Sequence, residues 1–166
     1  MDSLHREAEE YKEEIQHERE IRVKKQQQRD AQAKDIEVFN GTGSSVDLSG
    51  YKLQLYANGA STPANDIALS GTLSSGSVIV YKNSSAVVYS GSATANAACN
   101  FNGDDAVVLY KISTSAYVDI FGRIGDDPGT AWTSGSNTTV DKTLRRKFSV
   151  TSGVTVNPTG TGPTAF

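Results

Sequence analysis

The feature that most constrains this chain is an abrupt change of composition near residue 35. All fifteen glycines, all four prolines, every Phe, the single Trp and six of the seven tyrosines come after it. Both histidines and every glutamate except Glu37 come before it. Gly, Pro, Asn and Ser supply the tight turns of a β domain, whereas a Glu/Gln/Lys/Arg segment without Gly or Pro favours a solvated helix. The 166 residues therefore divide into a charged helix over residues 1–34, a β domain over 35–150 and a tail over 151–166.

In the first segment Asp2 and Ser3 can cap a helix start. Leu4, Ala8, Tyr11 and Ile15 follow a 4-3-4 spacing that places them on one stripe, a seam for another helix. The stripe then fails, because its next positions are Glu18, Arg22 and Lys25. The segment is thus a short coiled-coil stem or an appended solvated helix. Lys24, Lys25 and Arg29 lie among glutamines and read more readily as a solvated face than as a nuclear address or nucleic-acid contact.

From Asp35 onward short Val/Ile/Tyr/Leu runs alternate with Gly/Ser/Asn/Asp clusters. Runs at 36–40, 51–57, 66–69, 78–82, 106–112, 117–121 and 143–147 predict antiparallel strands. Seven short strands with turns between them predict an immunoglobulin-like antiparallel β-sandwich, and the fold class is mainly β with an N-terminal α-helix. Alternation places Leu53, Leu55, Ile79, Val107, Leu109, Val118 and Ile120 on inner faces. No segment of this half has helical periodicity long enough to cover a sheet, which argues against an α/β fold and its nucleotide crevice.

The residues also carry a family resemblance. Ile36-Glu37-Val38-Phe39-Asn40 is followed by Val46-Asp47-Leu48-Ser49-Gly50-Tyr51-Lys52-Leu53, then by Ile67-Ala68-Leu69-Ser70-Gly71-Thr72-Leu73. Next come Asn100-Phe101-Asn102-Gly103-Asp104-Asp105-Ala106-Val107-Val108-Leu109, Val118-Asp119-Ile120-Phe121-Gly122, Trp132 and Leu144-Arg145-Arg146-Lys147. In order and spacing these resemble a lamin tail domain of the bacterial type over about residues 35–150. The resemblance implies an immunoglobulin-like sandwich, no catalytic residues, and a secreted or surface setting beside a partner domain. One departure stands out. Such domains begin with an apolar strand about a dozen residues before the Ile-Glu-Val-Phe-Asn motif, and here that stretch is rich in Gln and Lys, so the first strand is expected to be missing.

Few residues suggest chemistry. His5 and His17 both belong to the charged segment, so a nucleophile in the β half has no His base nearby in sequence. Cys99 is the single cysteine, which excludes an intramolecular disulfide and a Cys-based zinc site, and a small core residue is its expected role. Asp104, Asp105, Asp126 and Asp127 form two acidic pairs in Gly-containing loops, read as turn chemistry or as a calcium site. Trp132 is read as core packing or as an exposed stacking platform for a glycan or base. Arg145, Arg146 and Lys147 are the only basic cluster of the β half, suited to edge protection or to phosphate contact. Asn40, Asn83 and Asn137 begin N-glycosylation patterns.

A formal charge of −3 gives no general reason to expect nucleic acid or an anionic membrane as partner. No apolar run approaches the roughly 20 residues of a membrane span, and the Met1 end is too charged for a secretion signal. The expected protein is a non-catalytic binding or structural module without cofactor, outside the cell by resemblance. The alternative is an oligomerisation unit joining a helix to a tail domain, with self-association through the helix or an open sheet edge.

Overall fold

The computed structural model describes residues 21–27, 34–86, 91–160 and 165–166, the first of these as a backbone path. Its strands are β1 (Ile21–Gln27), β2 (Lys34–Asn40), β3 (Val46–Asp47), β4 (Tyr51–Tyr56), β5 (Asn65–Ala68) and β6 (Thr72–Leu73). They continue as β7 (Val78–Lys82), β8 (Thr94–Ala95), β9 (Ala106–Lys111), β10 (Ala116–Phe121), β11 (Thr133–Ser134) and β12 (Asn137–Thr138). One sheet has the order β1-β2-β7-β8 and the other β10-β9-β4-β5. All ladders within them are antiparallel except the short β7–β8 pairing.

The inner faces of the two sheets share one apolar cluster, in which Ile36, Val38, Leu53, Phe101, Val107 and Leu109 are fully buried. This is the core that the alternating pattern predicts for Leu53, Leu55, Val107 and Leu109; Ile79 and Val118 pack against it half-buried. Ile120 is buried as well, but in a second cluster with Tyr56, Ala106, Val108, Phe121, Trp132 and Phe166. A bulge between Tyr117 and Asp119 shifts the register of β10, so alternation counted from Val118 assigns Ile120 to the wrong face.

Three further expectations are corrected. The helix over residues 1–34 does not hold at Ile21–Gln27, which is a strand paired with β2 from Ile21↔Asn40 to Gln27↔Lys34. Consequently the sandwich does not lack its first strand. Helical propensity is a weak prior, and an isolated helix of this length is marginal, whereas the edge of β2 offers a ladder of backbone hydrogen bonds. A Lys-rich strand is also a good sheet edge, which explains why no apolar run marks it. Leu4, Ala8, Tyr11 and Ile15 lie outside the described residues. Finally, residues 143–147 form no strand beyond an isolated bridge at Thr143; they are irregular chain crossing the outside of the second sheet.

The loops bear out the turn chemistry of Asx residues. Asp47 caps the short 3-10 turn Leu48–Gly50 by accepting from the Ser49 N–H at 2.9 Å, and Asn96 caps Ala97–Cys99 through the Ala98 N–H at 2.9 Å. Asn40 is fully buried: its Nδ2 donates to the carbonyls of Leu73 at 2.7 Å and Ser44 at 2.9 Å, and its Oδ1 accepts from the Thr42 N–H at 3.0 Å. An amide spent this way ties β2 to β6 and is closed to glycan attachment.

A chain beginning at Lys34 removes the only strand paired with the outer edge of β2 among the described residues. It is expected to melt at a lower temperature and to self-associate, while a chain beginning at Glu20 keeps the ladder and its melting temperature. Differential scanning calorimetry with light scattering on the two shortened chains checks this.

Candidate functional site

Of the residues that sequence singled out for chemistry, Trp132 and Arg146 lie on the outer side of the second sheet with Asp126 beside Trp132, whereas Cys99 lies in the core between the sheets. β9 and β4 are buried on both sides, as the unbroken Ala106-Val107-Val108-Leu109 run requires. Their inner side meets the first sheet. Their outer side is covered by the chain after β10, a strap over residues 122–160 together with Phe166.

Trp132 is the centre of this cover. It is 1 % exposed, and its ring meets Phe166 edge-on at 5.5 Å, while Phe166 meets Phe121 at 5.3 Å. Its indole N–H donates to Asp126 Oδ2 at 3.0 Å. Gly122, at φ +95, permits the close packing: a Cβ there would lie 2.9 Å from Ala106 Cα and 3.0 Å from the Trp132 ring. Trp132 is therefore core, and no face of its ring is open to stack on a glycan or base.

The two acidic pairs do not converge. Asp105 accepts from the N–H groups of Asn58 and Asn102, both at 2.9 Å, and so joins two loops. Asp104 is buried behind it, its own N–H donating to Asn102 Oδ1 at 3.2 Å. Asp126 holds the indole, and Asp127 accepts from the Gly129 N–H at 2.7 Å. Among the described residues no three His, Cys, Asp or Glu side chains are grouped to hold a metal ion.

Of the basic cluster, Arg145 and Lys147 are exposed, and Arg145 stacks over Phe148 at 5.6 Å. Arg146 does something sequence reasoning missed. Its Nη1 bonds Asp119 Oδ2, in an ion pair whose side chains are 9 % and 0 % exposed. Its Nη2 also reaches the carbonyls of Ile120 at 3.3 Å and Phe166 at 3.0 Å. The other oxygen of Asp119 accepts from the Val154 N–H at 2.9 Å. The available signal was Asp119 itself, a carboxylate inside an apolar strand, which calls for a buried cationic partner.

In or beside the inner core sit three buried titratable groups, Asp35 of β2, Tyr81 of β7 and Cys99. Burial, assisted by the Glu37 carboxylate, pushes the Asp35 carboxyl up to about 6. Burial and then the charge of Asp35 push the Cys99 thiol far above its usual range, and burial pushes Tyr81 up to about 12. A thiol held protonated is a poor nucleophile. Nearby, a groove of about 580 Å³ runs along β7, lined by Glu37, Val78, Val80 and Thr94 among others. Among the described residues no helix is long and apolar enough to cross a membrane.

Two antiparallel sheets sharing one apolar core, joined by Asx-capped turns, define an immunoglobulin-like β-sandwich. The model of one family, the Lamin Tail Domain, matches residues 19–125. The match begins where β1 begins, and the chain belongs to the lamin tail domain family. It ends at residue 125, before Trp132, Arg146 and Val154 of the strap. No curated protein matches the chain.

Two outcomes are expected at the buried titratable groups. Cys99 should be unreactive toward a thiol reagent such as DTNB in the native protein and react fully in denaturant; fast native labelling would contradict its burial. Asp35 has a folded-state pKa raised above its unfolded value, so its burial costs nothing below about pH 4 and lowers stability as the pH rises through 6. Asp35→Asn is therefore expected to raise stability at pH 7, by up to about 3 kcal/mol, and to flatten the decline between pH 4 and 6. Urea unfolding across that range checks it.

Proposed function

We propose that the protein is a non-catalytic binding or structural module, an accessory domain of a secreted or surface bacterial protein. Its family is one of immunoglobulin-like modules, and one observation carries the non-catalytic reading. Four carboxylates of the second half of the chain are engaged in architecture: Asp105 joins two loops, Asp126 holds Trp132, Asp127 closes a turn and Asp119 pairs with Arg146. The extracellular setting rests on the resemblance to bacterial tail domains and on the Ser/Thr/Gly/Asn-rich loops. It falls if fractionation of the source cells finds the protein only in the cytosol.

A second reading, an oligomerisation unit, is favoured by the Leu4, Ala8, Tyr11 and Ile15 stripe. Since β1 belongs to the sandwich, light scattering of the intact chain against one beginning at Glu20 separates the two readings; a change of mass on trimming supports the oligomerisation unit.

Purified protein is expected to hydrolyse neither nucleic acid, phosphate esters nor glycans, with or without added Ca²⁺, Mg²⁺ or Zn²⁺. Turnover that EDTA abolishes, and that is lost on Asp126→Asn with Asp127→Asn, would show that these turns hold a catalytic metal.

A further inference from the structure

We propose that the strap is a releasable cover, latched by the Asp119–Arg146 pair, which opens as a unit while the sandwich stays folded. Its opening uncovers the apolar outer face formed by Tyr56, Val108, Ile120 and Phe121.

Three observations carry this. First, the strap is held without a ladder. Among the described residues β11 and β12 pair only with one another, and no strand of the strap joins either sheet. Side chains tie it to the sandwich, Thr139 Oγ1 donating to the Gly103 carbonyl and Asp119 accepting from the Val154 N–H, while Asn157 bonds both backbone groups of Ile124 at 2.9 Å and so closes the strap on itself. Segments tied by few backbone bonds are the ones that open below the global unfolding free energy.

Second, the attachments converge. One carboxylate and one guanidinium fasten three separate parts of the strap to β10: Arg146 directly, Val154 through Asp119 Oδ1, and Phe166 through the Arg146 Nη2 and Nε atoms at 3.0 and 3.3 Å. Losing that one charge pair weakens all three attachments together. Gly153 fits against the Val118 carbonyl, where a Cβ would collide, so the strap is seated in one register.

Third, the cluster between the sheets is complete without the strap. Its members run from Ile36 to Leu109, and the half-buried residues packed on it end at Val118. Release of the strap removes nothing from it.

Native-state hydrogen exchange on the intact chain, at denaturant concentrations below global unfolding, tests the proposal. Amides of residues 132–160 should exchange through an opening that those of β2, β4 and β7 do not share. Asp119→Asn should speed exchange of the strap at least about tenfold, leave those inner strands within about twofold, and raise binding of an apolar dye. Arg146→Lys keeps the charge but cannot span Asp119, Ile120 and Phe166, and should give the same pattern at smaller amplitude. Exchange of strap and inner strands in one cooperative event overturns the proposal. So does an Asp119→Asn protein whose strap exchange is unchanged, or one that fails to fold while Arg146→Lys loosens all strands equally.

Discussion

β9 presents Val107 and Leu109 to the core between the sheets and Ala106 and Val108 to the other side, and all four are buried. An apolar strand with two buried faces needs two covers, and the rest of the structure follows from how each is supplied. The first sheet covers one face in the manner of any two-layer sandwich. The second is covered by irregular chain, which must satisfy its own backbone groups without a ladder. Single side chains answer that requirement: Asn157 takes both backbone groups of Ile124, Thr139 Oγ1 accepts from the Trp132 N–H and Asp119 accepts from the Val154 N–H.

The Asp119–Arg146 pair is not an obvious source of stability. Desolvating two charges offsets most of their attraction, and an apolar pair of similar volume is often as good. What the pair supplies is location. The fork of Arg146 fits only where Asp119, the Ile120 carbonyl and the Phe166 carbonyl stand together, which fixes one seating of a segment that apolar contacts alone would leave free to slide. Breaking a buried pair leaves an uncompensated charge, at a cost of about 3–5 kcal/mol. Registry and lability therefore reside in the same two residues.

The acidic loops show the limit of reading sites from sequence. Asp104-Asp105 and Asp126-Asp127 look alike as dipeptides, yet Asp105 bridges two loops, Asp126 supports a buried ring and Asp127 makes a local Asx turn. Local turn propensity was legible, because an Asx residue followed by Gly makes its hydrogen bond within a few residues. The long-range partner of a carboxylate was not, because it depends on which loop the fold brings alongside. Trp132 is a similar case: a large apolar ring suits packing or an exposed platform alike, and only the strap's path buries it against Phe166.

By itself the sequence determined the β-sandwich, six of its principal strands and the part of its inner core formed by Leu53, Leu55, Val107 and Leu109. These depend on period-two alternation and on residues whose conformational preferences act locally. Only the tertiary structure decided that Ile21–Gln27 is a strand, that Ile120 turns outward and that residues 143–147 are a strap. The reason is the same in each case. A polar edge strand is specified by the open hydrogen bonds of its neighbour, a bulge by the ladder it interrupts, and a buried arginine by a carboxylate 27 residues away in sequence.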